Sequence, residues 1–143
     1  MAQVPFEILL VEDNSGDIVL LREALDESAI ETRLHATLDG ESALRFLESR
    51  LGAPPHLILL DLSLPRMDGR AFLKRIKSQE ALRSIPVIVL TSSALDSDVL
   101  EAYDHHASAY IVKPADMMGL ADTVRSLLDF WCTKVRLPRR ARG

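Results

Sequence analysis

The stretch Leu57-Ile58-Leu59-Leu60-Asp61 decides the fold of this chain. Four consecutive apolar residues, with nothing polar on either face, are typical of a parallel strand that is buried on both sides. A carboxylate directly after such a strand lies at the strand's carboxyl end. In an open α/β sheet this is the edge at which ligands bind. Asp61 is therefore the first candidate for a functional residue.

Three further apolar runs end in polar side chains in the same way. They are residues 8–11 before Glu12-Asp13, residues 87–90 before Thr91-Ser92, and residues 110–112 before Lys113-Pro114. Because the carboxyl ends of parallel strands meet at one edge of a sheet, acids, a hydroxyl and an amine converge there. This combination suits a divalent cation and a phosphoryl group.

Strands and helices alternate five times along the chain. The predicted strands are Glu7–Val11, Thr32–Ala36, Leu57–Leu60, Pro86–Leu90 and Ala109–Val112. Helical patterns begin near Ser15, after Asp39-Gly40, near Gly69, after Asp96 and near Asp116. Strict alternation predicts a parallel sheet with right-handed crossovers and helices on both faces. The second strand is the most polar, so we expect it at a sheet edge.

Apolar residues mark the fourth and fifth helical patterns. The fourth contains Val99, Leu100 and Tyr103. The fifth is the longest, and we expect it to end by Pro138, because proline cannot continue a helix. Its apolar stripe consists of Leu120, Val124, Leu127, Leu128, Trp131 and Val135.

Length and composition indicate one soluble domain over residues 1–143. The chain is 48% hydrophobic and 27% charged, which is ordinary for a protein with a packed core. No apolar stretch approaches the roughly 20 residues of a membrane span, and no signal-peptide pattern opens the chain. Cys132 is the only cysteine, which excludes an internal disulfide. These features predict a cytoplasmic protein without a membrane association.

The net charge of −4 is distributed unevenly. Residues 134–143 contain five basic residues and no acid, so the remainder carries −9, because −4 minus 5 is −9. We expect 134–143 to form a basic extension, frayed after Pro138. The acidic body disfavours nucleic-acid binding, and neither a recognition helix nor an aromatic stacking platform accompanies the basic residues.

Each candidate site residue also has a simpler interpretation. Glu12-Asp13 could only cap the following helix, Thr91 could cap another, and Lys113 could be a surface lysine. All four strand ends carry side chains with complementary chemistry, and this combination favours a functional site over four unrelated simple roles. Clustered carboxylates repel one another, and a bound Mg²⁺ would relieve that repulsion. A lysine and a hydroxyl can bind phosphoryl oxygens, and Asp61 could itself accept the phosphoryl group.

These residues resemble the signature of response-regulator receiver domains, and their spacing is similar to that of the single-domain chemotaxis regulator. Thr91 lies 30 residues after Asp61, and Lys113 lies 22 residues after Thr91. Pro65 with Met67-Asp68-Gly69 matches the loop after the family's phosphoacceptor, and Tyr110 matches its aromatic switch residue. The resemblance covers about residues 6–130.

The resemblance implies an α/β, flavodoxin-like (βα)5 three-layer sandwich with a five-stranded parallel sheet in the order 2-1-3-4-5. It implies that Asp61 accepts a phosphoryl group from a histidine kinase, with Lys113 and Thr91 as its catalytic partners and Thr91 and Tyr110 as the switch. It further implies a cis bond between Lys113 and Pro114. Such a protein is not an enzyme beyond its own phosphorylation and dephosphorylation.

The implied Mg²⁺ site consists of Asp13, Asp61 and the main-chain carbonyl of Ser63, with Glu12 acting through water. Two positions differ from the chemotaxis regulator. Ser63 stands where that protein has an asparagine, and Ser93 stands where it has a longer acid. Both side chains should border the path of an attacking water. We therefore expect these two differences to affect the lifetime of the phosphoryl group and to leave metal binding through a main-chain carbonyl unaffected.

A finer resemblance is to the single-domain regulators that partner phytochrome-type kinases in cyanobacteria and other bacteria. It is carried by Glu12-Asp13-Asn14-Ser15-Gly16-Asp17, Asp68-Gly69-Arg70, Ala102-Tyr103, and Phe130-Trp131 with Leu137-Pro138. It implies a bacterial phytochrome as the kinase and a downstream protein or phosphotransfer partner. We also expect a homodimer through the last helix, because the adjacent Phe130 and Trp131 point to different faces. Alternatively, these residues only cover the sheet.

Two other function classes fit parts of the pattern. A haloacid-dehalogenase-type phosphatase also uses an aspartate nucleophile, but it needs a second aspartate two residues later, where Ser63 stands. A flavin-binding electron carrier of the same fold needs a first loop that cradles phosphate. Here that loop presents Glu12 and Asp13, which would repel a phosphate.

Overall fold

The computed structural model describes residues 4–138, along which strands and helices alternate as predicted. The strands are β1 (Phe6–Val11), β2 (Thr32–Thr37), β3 (Leu57–Leu60), β4 (Val87–Thr91) and β5 (Ala109–Val112). The helices are α1 (Ser15–Asp26), α2 (Gly40–Glu48), α3 (Gly69–Lys77), α4 (Asp96–Asp104) and α5 (Met117–Asp129). A π-helical segment, Phe130–Lys134, follows α5 directly.

The strands form one parallel sheet in the order β2-β1-β3-β4-β5. This is the predicted flavodoxin-like order, and the polar β2 lies at an edge as expected. Val11 pairs with Leu60, and Leu60 pairs with Val89, so the residues after these strands lie side by side. The direction of the strand order changes between β1 and β3, which opens a crevice at their carboxyl ends.

Two apolar layers cover the faces of the sheet. In β3, Ile58 and Leu60 face the layer formed with α2, α3 and α4, while Leu57 and Leu59 face the layer formed with α1 and α5. All four side chains are fully buried. Burial of each contributes about 1.5–3 kcal/mol, so β3 is a central anchor of the fold.

Gly69 lets α3 begin close to the segment that follows Asp61. A Cβ atom at Gly69 would lie 2.2 Å from the carbonyl oxygen of Asp61 and 2.7 Å from Cα of Leu62. The preceding residue, Asp68, caps the helix by accepting a hydrogen bond from the N–H of Arg70 at 2.7 Å. The start of α3 therefore supports the backbone that carries Asp61.

The exposure of α4 and the end of the last helix became clear only in the structure. In α4 only Ala102 is buried, whereas Leu100 and Tyr103 are 63% and 48% exposed. This follows from the position of α4 beside β5 at the sheet edge, where little of its surface faces the core. In the last helix, regular α-helical bonding ends at Asp129, and the Phe130–Lys134 segment is closed by a Val135 N–H bond to the Phe130 carbonyl at 3.1 Å.

The expected cis bond between Lys113 and Pro114 is wrong, since no peptide bond in residues 4–138 is cis. The trans form is favoured even before proline, by about 0.5–1 kcal/mol. None of the helices within residues 4–138 combines the length and the hydrophobicity that a membrane span requires. The predicted basic extension is described only as far as Pro138, and residues 139–143 lie outside the described part.

Candidate functional site

The candidate residues meet at the carboxyl edge of the sheet, around the crevice between β1 and β3. Glu12, Asp61 and Thr91 are only 2%, 8% and 1% exposed. Asp13 is exposed at the rim. Lys113 reaches in from the end of β5, and 8% of its side chain is exposed. The parallel sheet thus brings together side chains that are up to 101 positions apart in the chain.

Three carboxyl groups form an acidic cluster in this crevice. One oxygen each from Glu12, Asp13 and Asp61 lies within 4.8 Å of the others. Ser63 borders the cluster, because its backbone N–H donates to Oδ1 of Asp61 at 3.2 Å. Carboxylate and carbonyl oxygens are the ligands that hard divalent cations prefer. The donor set therefore fits a divalent metal ion.

Asp61 contacts a hydroxyl on one side and an ammonium on the other. Thr91 Oγ1 donates to Oδ1 at 2.7 Å, and Lys113 Nζ lies 3.4 Å from Oδ2. Burial acts to raise the pKa of Asp61, but hydrogen bonds with Thr91 and Glu12 and the charge of Lys113 outweigh it and lower this pKa below its usual value. Asp61 is therefore ionised at neutral pH, which a nucleophilic carboxylate requires.

The ammonium of Lys113 is surrounded by three carboxyl groups. It donates hydrogen bonds to Glu12 and to Oδ2 of Asp17, the latter at 2.8 Å, and it faces Asp61. Burial disfavours the charged form, but the bonds to Asp17 and Glu12 outweigh this and raise the pKa of Lys113. Lys113 is consequently a permanent positive charge beside Asp61.

Glu12 differs from Asp61 in its protonation. Burial raises the pKa of Glu12 to about 7, the hydrogen bond from Lys113 opposes this rise, and the negative charge of Asp61 adds to it. Of the two buried carboxyl groups, Glu12 is thus the one that holds a proton more readily. A proton on Glu12 reduces the repulsion between these two acids, which lie at adjacent strand ends.

Sequence reasoning missed the role of Asp17 as a contact of Lys113. Asp17 lies in the first turn of α1, where its N–H donates to Oδ1 of the capping residue Asn14 at 2.9 Å. In this fold the helix that follows a strand begins at the carboxyl edge of the sheet. An acid in that first turn therefore lies near the ligand crevice, and this is the signal that could have made Asp17 a candidate, although its bond to Lys113 depends on the rotation of α1.

Tyr110 is connected to the end of β4 rather than to Asp61 directly. Its hydroxyl donates to the backbone carbonyl of Ser93 at 2.8 Å. The Ser93 hydroxyl donates to Asp98 at 2.5 Å, and Arg70 pairs with the other oxygen of Asp98 at 2.8 Å. These bonds link β5, the segment between β4 and α4, and the start of α3.

Comparison with known proteins agrees with this architecture. The model of the response regulator receiver domain family matches residues 8–125. The chain belongs to the response regulator receiver family. It is 41% identical over 138 residues to the response regulator Rcp1 of Synechocystis, covering 94% of each chain. It is 39% identical over 140 residues to the probable methanogenesis regulatory protein FilR2 of Methanothrix harundinacea, covering 96% of this chain and 90% of that protein.

Solved structures of related receivers share the fold closely. The phosphorylated cyanobacterial phytochrome response regulator RcpA is 38% identical, with a TM-score of 0.91 over 95% of this chain and 100% of that chain. The Mn²⁺-bound form of Rcp1 is 40% identical, with a TM-score of 0.90 over 94% of this chain and 100% of that chain. The protein is thus a receiver domain homologous to phytochrome-associated response regulators. The phosphatase alternative has no support among these relatives.

Proposed function

We propose that this protein accepts a phosphoryl group on Asp61 from the phosphohistidine of a histidine kinase. The observation that carries the proposal is the buried, ionised Asp61 between the hydroxyl of Thr91 and the ammonium of Lys113. A carboxylate oxygen of Asp61 forms the new bond to phosphorus as the bond from phosphorus to the histidine nitrogen breaks. The electron pair of the broken bond stays on the imidazole.

The neighbouring side chains have separate roles in this step. The ammonium of Lys113 offsets the negative charge of the phosphoryl oxygens, and the hydroxyl of Thr91 donates a hydrogen bond to one of them. We assign Asp13, Asp61 and the main-chain carbonyl of Ser63, with Glu12 through water, to a Mg²⁺ ion, which supplies further charge neutralisation when bound. The Mn²⁺-bound form of Rcp1 supports a divalent cation here.

Phosphorylation acts on the protein itself, so we propose no turnover of an independent substrate. Thr91 and Tyr110 form the switch: Thr91 moves to bond the phosphoryl group, and Tyr110 moves into the space that this movement leaves. The surface of α4, β5 and α5 then changes, because a pre-existing equilibrium between two conformations is shifted. A downstream protein or a further phosphotransfer partner in the cytoplasm reads that surface.

A bacterial phytochrome is the kinase that we propose. The support is the likeness to RcpA and the likeness to the regulator RPA3017 in red light signalling of R. palustris, which is 32% identical with a TM-score of 0.84. Phosphotransfer profiling against the purified histidine kinases of the source organism tests this. Preferential transfer from a kinase without a light-sensing region would contradict the assignment.

The phosphoacceptor is tested by labelling with acetyl phosphate or with a cognate kinase. We expect wild type to gain one phosphoryl group, Asp61→Asn to gain none, and EDTA to abolish the reaction. Asp104→Asn is the matched control, because Asp104 is an exposed aspartate at the end of α4. Labelling of Asp61→Asn at the wild-type rate would overturn the proposal.

We further propose a homodimer through the end of the last helix. Trp131 packs against the layer formed with α1 and α5, whereas the adjacent Phe130 is 55% exposed and available as an anchor. Lys134 and Arg136 can pair with the acidic body of a second copy. In sedimentation, Phe130→Ala should weaken the dimer and Val19→Ala, which removes another exposed apolar side chain, should not. A wild-type protein that stays monomeric with and without beryllofluoride would contradict this.

A further inference from the structure

The ammonium of Lys113 is not centred on Asp61. Nζ lies 2.8 Å from Oδ2 of Asp17 but 3.4 Å from Oδ2 of Asp61. The first distance is that of a charge-assisted hydrogen bond, and the second exceeds the usual range for one. Lys113 is also bonded to Glu12. The ammonium is therefore held on the α1 side of the crevice.

This arrangement uses the whole donor capacity of the lysine. An ammonium has three N–H donors, and here they face Glu12, Asp17 and Asp61. An incoming phosphoryl group must take over at least one of them. Because the bond to Asp17 is short, it resists the movement of the ammonium toward Asp61.

Asp17 also carries a negative charge at the entrance of the crevice. Its side chain is 24% exposed, compared with 8% for that of Lys113. A phosphoryl donor is anionic, so this charge repels the donor as well as restraining the lysine. The backbone N–H of Asp17, and not its carboxylate, bonds to the capping residue Asn14. Loss of the carboxylate charge therefore leaves the capping hydrogen bond of α1 in place.

We propose that Asp17 is a positioning residue that holds the Lys113 ammonium away from Asp61 and thereby limits the rate at which Asp61 takes a phosphoryl group. The inference rests on the proposed role of Asp61 as phosphoacceptor. Asp17 acts by restraining Lys113 and by its negative charge at the entrance of the crevice, and it forms no bond to the phosphoryl group. Its effect is largest with small donors, which enter the crevice without contacts from a kinase.

The test compares Asp17→Asn, Asp17→Glu and Asp26→Asn in phosphorylation by acetyl phosphate at saturating Mg²⁺. Asp17→Asn removes the charge and should react about two- to fivefold faster, the factor that matches the usual strength of a partly exposed ion pair. Asp17→Glu keeps the negative charge, so its rate should lie closer to that of wild type than the rate of Asp17→Asn does. Asp26→Asn removes the same charge from the exposed far end of α1 and should leave the rate unchanged.

A second measurement separates positioning from a general effect on the fold. In nitrogen NMR of the lysine ammonium groups, the Lys113 signal of Asp17→Asn should move toward its position in beryllofluoride-bound wild type. The signal of Asp26→Asn should stay at the wild-type position. A Lys113 signal that Asp17→Asn leaves in place would overturn the inference.

The outcomes distinguish this inference from the function on which it rests. If wild type is labelled on Asp61 and Asp17→Asn reacts at the same rate or more slowly, Asp17 is not a restraint and only the inference is lost. If Asp17→Asn loses most of its Mg²⁺ affinity, Asp17 belongs to the metal site and the inference is again wrong. If wild type takes no phosphoryl group on Asp61, both proposals are wrong.

Discussion

Thr91 Oγ1 and Asp61 Oδ1 are joined by a hydrogen bond of 2.7 Å across the ends of two neighbouring strands. Both residues are buried, with Thr91 1% and Asp61 8% exposed, so little water competes for this bond. A phosphoryl group on Asp61 would offer the hydroxyl stronger acceptors than the carboxylate does. The bond is therefore where a change at Asp61 first reaches β4.

Replacement of Thr91 should separate phosphorylation from its conformational response. We expect Thr91→Ala to bind beryllofluoride at Asp61 but to confine the NMR shifts to the metal site. Thr91→Ser keeps the hydroxyl and should carry the shifts to Ser93 and Tyr110, as we expect for wild type. Shifts at Tyr110 in Thr91→Ala as large as those of wild type would rule out Thr91 as the switch.

Gly69→Ala should destabilise the fold by about 1–3 kcal/mol, the usual cost of forcing atoms into a packed site. The reason is that the added Cβ would lie 2.2 Å from the Asp61 carbonyl oxygen. Gly52→Ala is the matched control, since a Cβ there meets nothing within 4 Å. Urea unfolding of both variants measures the difference. Equal stability of the two would show that α3 can shift without cost.

Glu7→Gln should destabilise the protein in a way that depends on pH. Burial acts to raise the pKa of Glu7, but hydrogen bonds with His35 and Arg50 outweigh it and lower this pKa from 4.5. An acid with a lowered folded-state pKa stabilises the fold above its unfolded pKa and loses that contribution as the pH falls. We expect a loss of about 1 kcal/mol near neutral pH.

Unfolding of wild type and Glu7→Gln between about pH 5.5 and about pH 3.5 tests this dependence. The difference in their free energies of unfolding should shrink as the pH falls below 4.5. Glu80→Gln, at an exposed position after α3, provides the control and should show no such trend. A difference that stays constant over the range would mean that the charge of Glu7 contributes nothing.

The ion pair between Arg70 and Asp98 should couple α3 to α4. The two side chains lie 2.8 Å apart and are 31% and 13% exposed, so screening by solvent is partial. A double-mutant cycle with Arg70→Ala and Asp98→Asn should yield a coupling of about 0.5–1 kcal/mol that decreases with added salt. Additive effects of the two substitutions would show that the pair does not join the helices.

The fold was predictable because its determinants are local in the chain. The apolar run Leu57–Leu60 forms β3 with the predicted bounds. Strict alternation of strands and helices restricts the topology to a parallel sheet, and the polar β2 lies at its edge. The helix end was less predictable, because whether Phe130–Lys134 continues as regular α-helix depends on how the chain packs after Asp129.

By itself the sequence determined which side chains follow the strands, and so which of them lie at the carboxyl edge of the sheet. The carboxyl ends of the strands meet at one edge in any parallel sheet, so these side chains can be assigned to that edge without knowing any distance between them. Only the tertiary structure decided that Lys113 lies closer to Asp17 than to Asp61, and that Asp98 accepts a hydrogen bond from the Ser93 hydroxyl. Such pairings depend on how each helix is rotated and seated against the sheet, which a pattern of neighbouring residues does not encode.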